Sequence, residues 1–241
     1  MARAGHGWTE WIPLIDRATP TPAESAPTIR RIYKLLYAHY GPQDWWPADS
    51  PFEVVVGAIL TQNTAWSNVV KAIAALKQAR RLTVAGIRVL GDDELADLIR
   101  PAGTYRVKAR RLRAVVDWLW EESRGDVGKA LSGDLETVRG RLLAIHGVGP
   151  ETADSILLYA GGHSSFVIDA YTRRILRRHR VIDGGESYEK LRTMMMGSVR
   201  RDLETYREYH ALLVQVAKQH CRVRAHCDGC PLESLPHDEA P

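Results

Sequence analysis

The feature that most constrains the fold of this chain is a glycine turn between two segments of helical periodicity. Residues 141–146 and 150–160 both repeat apolar side chains at helical spacing, and a short turn joins them. Gly147 and Gly149 flank a single valine, which allows a very tight turn, partly at positive φ. Pro150 suits the first turn of the second helix. Unpaired amides at the start of that helix predict an anion site; the alternative is a plain connection between core helices.

The rest of the chain favours an all-α fold. Apolar side chains recur at helical spacing in residues 29–39, and residues 51–76 predict a buried helix that breaks near residues 62–64. No alternating run bounded by hairpin turns is present, so no strand is predicted. The Pro-, Thr- and Ser-containing stretch before residue 28 predicts an irregular lead-in. The remaining predicted helices are residues 84–90, 92–99, 105–122, 135–143, 170–179, 188–199 and 203–218.

Charge and composition favour a globular protein with a polyanionic partner. The chain has a formal net charge of +4, and basic residues cluster in residues 106–113, 173–180 and 218–224. Such clusters suit nucleic acid, although a solvated helix face is the simpler explanation of each one alone. No apolar run is long enough to span a bilayer, and the first residues do not resemble a signal peptide. We therefore expect a cytoplasmic protein without a membrane partner.

Several stretches together resemble one family. Residues 142–176 resemble the helix-hairpin-helix, Gly/Pro-rich loop and aspartate motif of the endonuclease III superfamily of DNA glycosylases. Residues 52–64 resemble that family's second helix and lesion-facing turn, and residues 100–112 its small-residue, glycine, aromatic and Lys-Ala series. The resemblance implies two helical domains around a DNA-binding cleft. We expect residues 51–163 to form one domain and residues 28–50 plus 164–241 the other, after a lead-in over residues 1–27.

The 3-methyladenine DNA glycosylases of this superfamily are the subgroup most similar to the chain. The features that carry this likeness are DWWP at residues 44–47, LTQNT at residues 60–64, Trp66 and GPETAD at residues 149–154. The resemblance therefore implies hydrolysis of the bond between a damaged base and its sugar, with an alkylated purine such as 3-methyladenine as the substrate. The partner would be double-stranded DNA containing the damaged base, bound by a monomer.

Asp169 occupies the position of the family's aspartate. An ionised carboxylate there would stabilise positive charge on the sugar and orient or deprotonate the attacking water; capping the helix that begins near Ala170 is an alternative that is compatible with catalysis. Strand-cutting relatives carry a lysine directly before the Thr-Ala that follows the hairpin, and Glu151 stands there instead. Because a carboxylate cannot form an imine, the resemblance implies an enzyme that stops at the abasic site. Glu151 would line the base pocket or serve as a first-turn acid.

Tryptophans are the candidates for the base pocket. Indole faces attract a cationic alkylated base by roughly 0.5 to 2 kcal/mol each, whereas core packing explains most tryptophans. The expected pocket residues are Trp45, Trp46, Trp66 and Glu151. Because the base must leave the stack, Gln62 or Asn63 would fill the gap, unless they only form a capping turn. The expected DNA contacts are Gln62, Asn63, Lys108, Gly147, Gly149, Thr152, Arg173 and Arg174.

The three cysteines of the chain lie close together near its end. Cys221, Cys227 and Cys230 predict a metal site rather than disulfides. Their spacing resembles the family's iron–sulfur loop, which implies a [4Fe–4S] cluster, but the fourth thiolate is missing. His237 or an exogenous ligand would then complete the site. The alternatives are a zinc ion held with His220, His226 or His237, and a site without metal.

Other functions remain compatible with the sequence. One is a glycosylase of the same family for oxidised or mismatched bases. A second is a DNA-structure binder that has lost catalysis, which the retained Asp169 argues against. A third is a redox-sensing DNA binder built around the cysteines.

Overall fold

The computed structural model describes residues 22–238, which are helical apart from their connecting segments. No β-strand is present within these residues, so the all-α prediction is confirmed for them. Their α-helices are α1 (Pro22–Tyr40), α2 (Pro51–Leu60), α3 (Trp66–Gln78), α4 (Val84–Arg88), α5 (Asp92–Leu98), α6 (Tyr105–Ser123), α7 (Val127–Ala130), α8 (Leu135–Leu143), α9 (Pro150–Tyr159), α10 (Ala170–Arg178), α11 (Tyr188–Ser198) and α12 (Leu203–Gln219).

The sequence predicted most of these helices to within two residues. The break between α2 and α3 lies at residues 61–65, as expected. Two short elements escaped prediction, α7 and a 3₁₀ turn at Arg100–Ala102, because neither is long enough to show a helical period. α1 begins at Pro22, inside the stretch predicted as irregular, since proline is well tolerated in the first turn of a helix. The first 21 residues of the predicted lead-in lie outside the described residues.

Two hydrophobic cores form the interior, and α2 and α9 lie between them. The first core collects the apolar faces of α2 to α8 and the beginning of α9. The second core joins α1, α10, α11 and α12 and takes in Val54 of α2 and Leu158 and Tyr159 of α9. Both shared helices are buried on almost every side, which is expected of helices covered by two layers. The predicted domain boundaries remain predictions.

A buried polar network ties the segment that precedes Asp169 to three helices. Arg139 of α8 donates to both carboxylate oxygens of Asp154 on α9, at 2.9 and 3.1 Å. Ser165 donates to the same carboxylate, and Arg192 of α11 donates to Ser165 Oγ at 3.0 Å. Because every charge in this network is paired and hydrogen-bonded, burying it is tolerated. The network fixes the course of the chain from the end of α9 to Asp169.

None of the helices in residues 22–238 combines the length and the apolarity that a membrane crossing requires.

Candidate active site

A cavity opens where the two cores meet, and we call it the central cavity. Its wall combines five separate parts of the chain: the loop after α1, the turn between α2 and α3, the first turns of α9, the start of α10 and one face of α12. The side chains that carry its chemistry are Trp45, Trp46, Trp66, Glu151, Asp169, His210 and Lys218.

Asp169 is the N-cap of α10 and faces the central cavity. Its side chain accepts a hydrogen bond from the amide of Thr172 at 2.7 Å, as an N-cap residue should. Burial by itself would raise the pKa of this carboxyl group, but the interaction with His210 and the Thr172 amide outweighs burial and holds the pKa below its ordinary value. Asp169 is therefore an ionised carboxylate at neutral pH, and capping and a catalytic role coexist in one residue.

His210 of α12 lies behind Asp169 and is almost completely buried. Its Nε2 atom is 3.6 Å from Asp169 Oδ2 and makes no hydrogen bond among the described residues. Its Nδ1 atom is 2.6 Å from the hydroxyl group of Tyr159, which orients the ring. Tyr159 in turn contacts the Trp46 ring, with 5.1 Å between ring centroids. A chain of contacts thus links the tryptophan wall to the carboxylate.

Glu151 lies in the first turn of α9 at the edge of the central cavity. Desolvation of its carboxyl group on the cavity side and the nearby negative charge of Asp169 raise its pKa, although the residue as a whole is exposed. Two carboxyl groups of one cavity are thereby shifted in opposite directions. Such a pair is typical of sites in which one group is the base or stabilising anion and the other carries a proton.

The three tryptophans form one aromatic wall of the central cavity. Ring centroids lie 6.0 Å apart for Trp45 and Trp66 and 5.2 Å apart for Trp46 and Trp66. Trp46 packs closely on Gly57 of α2, where an added Cβ atom would meet the indole ring at 3.2 Å. The structure thus places the three tryptophans predicted for the pocket together, beside Asp169.

The glycine turn lines a second cavity, which we call the hairpin cleft. It is lined by Gln62, Asn63, Arg111, Gly147, Val148, Gly149, Glu151 and Thr152. Gly147 has φ +84°, which favours glycine. Gly149 is the N-cap of α9 without a side-chain cap, so the amides of the first turn can bind an anion.

Gln62 holds the turn between α2 and α3 against the hairpin. Its amide nitrogen donates to the carbonyl of Gly147 at 3.1 Å and to Thr152 Oγ1 at 2.9 Å. Arg111 of α6 donates to the other end of the same amide at 2.6 Å. Gln62 is therefore engaged within the protein, whereas the adjacent Asn63 is exposed and borders both cavities.

Comparison with known proteins places the chain in a family. The model of the HhH-GPD superfamily base excision DNA repair protein matches residues 56–201. A candidate DNA repair glycosylase of Methanocaldococcus jannaschii is 47% identical over 209 residues, which cover 86% of this chain and 94% of that protein. The chain belongs to the HhH-GPD superfamily of base excision DNA repair proteins. It is a DNA N-glycosylase, and its partner is DNA with a damaged base.

Solved structures of this superfamily share the fold. A 3-methyladenine DNA glycosylase of H. pylori bound to 1,N6-ethenoadenine is 26% identical, with a TM-score of 0.69 over 81% of this chain and 97% of that one. An endonuclease III in a non-covalent complex with DNA has a TM-score of 0.75 at 22% identity, covering 88% and 94% of the two chains. The second comparison supports the fold, and the first also supports the glycosylase family.

Lys108 corrects one expectation for the DNA contacts. Its side chain is buried, with 1% exposure, and its ammonium group donates to the carbonyls of Leu60 at 2.8 Å and Ala102 at 2.7 Å. Burial and the neighbouring Arg111 lower its pKa to about 8. Lys108 therefore supports the end of α2 from inside the protein and is not placed to contact a phosphate.

Arg173 and Arg174 of α10 are half-buried, and each already makes a structural contact. Arg173 donates to the carbonyl of Glu186 at 2.9 Å, and Arg174 donates to the carbonyl of Cys221 at 2.7 Å. Arg174 also lies over the ring of Tyr171 at 5.2 Å. Their contact with DNA remains a prediction that depends on the remaining N–H groups.

The three cysteines line a further cavity together with Arg178, His179 and His237, which we call the cysteine cavity. None forms a disulfide. Arg178 donates to Cys221 Sγ at 3.1 Å. Among the described residues, no three His, Cys, Asp or Glu side chains surround a position for one metal ion. The cluster and the zinc site expected from the sequence therefore both remain predictions.

Several functional candidates escaped the sequence analysis. His210 and Lys218 were not predicted for the pocket, although they share a signal with Val214: the three are spaced by four residues and line the central cavity from one face of α12. Tyr159 and Arg111 give no such signal, because each acts through a contact with a distant segment.

Proposed function

We propose that this protein hydrolyses the N-glycosidic bond of alkylated purines in DNA and leaves an abasic site. The observation that carries the proposal is the ionised Asp169 in one cavity with three tryptophans. A base that has left the stack would lie against the indole rings. Asp169 would then face the sugar, where it can stabilise developing positive charge and accept a proton from the attacking water.

The absence of strand cutting follows from the residue after the hairpin. Glu151 stands where strand-cutting relatives carry the lysine that forms an imine, and a carboxylate cannot do so. The resemblance to the 3-methyladenine subgroup and the structural similarity to the H. pylori enzyme of that name support a purine substrate. 3-Methyladenine is the first base to test.

Base release from methylated duplex DNA, followed by chromatography of the freed bases, tests the proposal. We expect the wild type to release 3-methyladenine and the Asp169→Asn variant to lose about three orders of magnitude of the rate, with unchanged duplex binding. The product strand should break only after alkaline treatment. Release of no methylated purine would refute the substrate class, and direct strand breaks would refute the arrest at the abasic site.

We further propose a [4Fe–4S] cluster held by Cys221, Cys227 and Cys230, with His237 as the fourth ligand. His237 lines the cysteine cavity, and its Nδ1 atom is 2.8 Å from the carbonyl of Leu235, which leaves Nε2 as the ring nitrogen that could bind iron. Iron and sulfide analysis of the purified protein, with its visible absorption, tests this. His237→Ala should lose iron, whereas His39→Ala, on α1, should retain it. Stoichiometric zinc without iron would refute the cluster.

A further inference from the structure

Gly57 stands out among the residues of α2. Every residue of this helix from Phe52 to Leu60 is buried, and Gly57 is the only one of them without a side chain. A glycine inside a helix is unfavourable compared with alanine, because it loses more conformational freedom on folding. The presence of Gly57 in a buried helix therefore requires a reason in the packing around it.

The reason is the indole ring of Trp46, which lies directly against Gly57. A Cβ atom added at Gly57 would meet Cζ2 of this ring at 3.2 Å, Nε1 at 3.5 Å and Cε2 at 3.6 Å, and these are its three nearest atoms. The closest of these distances is shorter than the ordinary separation of carbon atoms in contact. Only glycine at this position lets the nitrogen-bearing edge of the ring lie so close to α2.

Packing alone fixes the Trp46 ring. Its Nε1 atom is buried and has no hydrogen-bond partner among the described residues. The ring lies edge-on to Trp66, with 5.2 Å between centroids and an angle of 87°, and both rings line the central cavity. The Trp46 ring also borders a separate opening beside Val54 and Glu208. A side chain at Gly57 would therefore move an aromatic wall of the central cavity rather than a distant part of the protein.

Resting on the proposed function, which makes the central cavity the base pocket, we propose that Gly57 is a positioning residue that sets the size of the base this cavity accepts. Without a side chain at residue 57, Trp46 recedes onto α2 and leaves room in front of it. A methyl group there would displace the ring by a few tenths of an ångström toward the base. Crowding of a packed site is unfavourable, and a larger base should suffer more from it than a smaller one.

Equilibrium binding of two free bases, measured by isothermal titration calorimetry, tests this inference without any hydrolysis. Adenine and 1,N6-ethenoadenine are both neutral at neutral pH and differ by a two-carbon bridge, so the pair varies size without varying charge. Gly57→Ala should lower the affinity for 1,N6-ethenoadenine relative to adenine by about tenfold, a discrimination typical of one extra methylene group in an apolar pocket.

Three further variants separate the position of the ring from a general structural effect. Trp46→Phe shortens the wall and should shift the affinity ratio toward the larger base. The double variant Gly57→Ala/Trp46→Phe should return toward the wild-type ratio, and it should favour the larger base less than Trp46→Phe does even if Gly57→Ala alone fails to fold. Gly140→Ala is the matched change inside α8, where open space surrounds the glycine, and it should keep the wild-type ratio.

An unchanged ratio in a folded Gly57→Ala variant would overturn the inference, since the ring would then yield toward the opening beside Val54. Binding of neither base by the wild type would overturn it too, because the central cavity would then not hold a base. The proposed function is judged separately, by release of 3-methyladenine from methylated duplex DNA. If the wild type released none while Gly57→Ala still shifted the affinity ratio, the proposed substrate would be refuted and the role of Gly57 would stand.

Discussion

The hairpin cleft and the central cavity meet at Glu151 and Asn63 but are built in different ways. The cleft presents backbone amides of one continuous turn, so it can bind a DNA phosphate whatever the base sequence. The central cavity presents side chains from five parts of the chain, and these can distinguish one base from another. The comparison teaches that binding of the DNA backbone and recognition of the base are assigned to separate parts of the protein, which share one helix, α9. Mutations should therefore be able to impair one without the other.

A substitution of Lys108 should impair both DNA binding and base release, because this residue supports the turn that borders both cavities. Lys108→Ala removes the donor of two buried carbonyls and leaves a gap, which should lower the free energy of unfolding by about 3 kcal/mol. Duplex binding and base release should fall together. Chemical denaturation measures the loss, and Lys71→Ala, an exposed residue of α3, should change stability by less than about 0.5 kcal/mol.

A different result would restore the sequence-based expectation for Lys108. If Lys108→Ala kept its stability but reduced the salt dependence of duplex binding by one phosphate contact, the lysine would face DNA after all.

Gly147→Ala should weaken duplex binding without changing the rate of base release at saturating duplex. A methyl group at φ +84° is strained and would overlap the side chain of Arg111, whose Cδ atom would be 2.7 Å away. We expect every duplex, with or without a lesion, to bind roughly 100-fold more weakly, which is about 2.7 kcal/mol. Gly140→Ala, in the helix before the turn, has open space and should bind as the wild type does. Fluorescence anisotropy measures both.

The comparison between the cavities fails if Gly147→Ala changes the rate at saturating duplex as strongly as it changes binding. That outcome would mean that the hairpin also positions the reacting groups.

His210→Gln should have the opposite effect: it should slow base release and leave duplex binding unchanged. Without the ring, Asp169 loses an interaction that holds its pKa down, so its pKa should rise. The rate at saturating duplex should fall by about 30-fold, and the loss of rate on acidification should begin at a higher pH. Tyr159→Phe, which removes only the hydroxyl group beside His210 Nδ1, should shift the profile in the same direction by less. A slower rate with an unmoved acid limb would show that His210 only fills space.

The same contrast explains what the sequence could predict. The hairpin could be predicted because its key residues, Gly147, Gly149 and Pro150, are neighbours along the chain. The all-α fold could be predicted from the helical spacing of apolar residues. Asp169 could be predicted through its family motif, and the tryptophans by their chemistry. The burial of Lys108 could not, because a lysine in an amphipathic helix normally reaches solvent, and only the packing of α6 against the end of α2 reveals the two carbonyls.

His210 and Lys218 show a second limit of sequence analysis. Their spacing on α12 is visible, but it marks a common face without saying what that face meets. The loop that carries Trp45 lies far away in the sequence, and it is the contact of Lys218 with Trp45 that gives the lysine a meaning. Pockets assembled from distant segments need the fold before their residues can be assigned.

The smallest expected effect concerns Glu151, one of the two residues that border both cavities. Its pKa is raised, so its protonated form persists above the pH at which an ordinary glutamate ionises. If Glu151 protonates the leaving base, release of neutral 1,N6-ethenoadenine should decline as the pH rises through that pKa, because the proton donor is lost. Glu151→Gln should be slower by about tenfold at low pH and should lack this decline. The cationic N7-methylguanine needs no proton, so its release by the wild type should show no such alkaline limb. An identical decline for both bases would instead show that the ionisation of Glu151 weakens DNA binding, since Glu151 also borders the hairpin cleft.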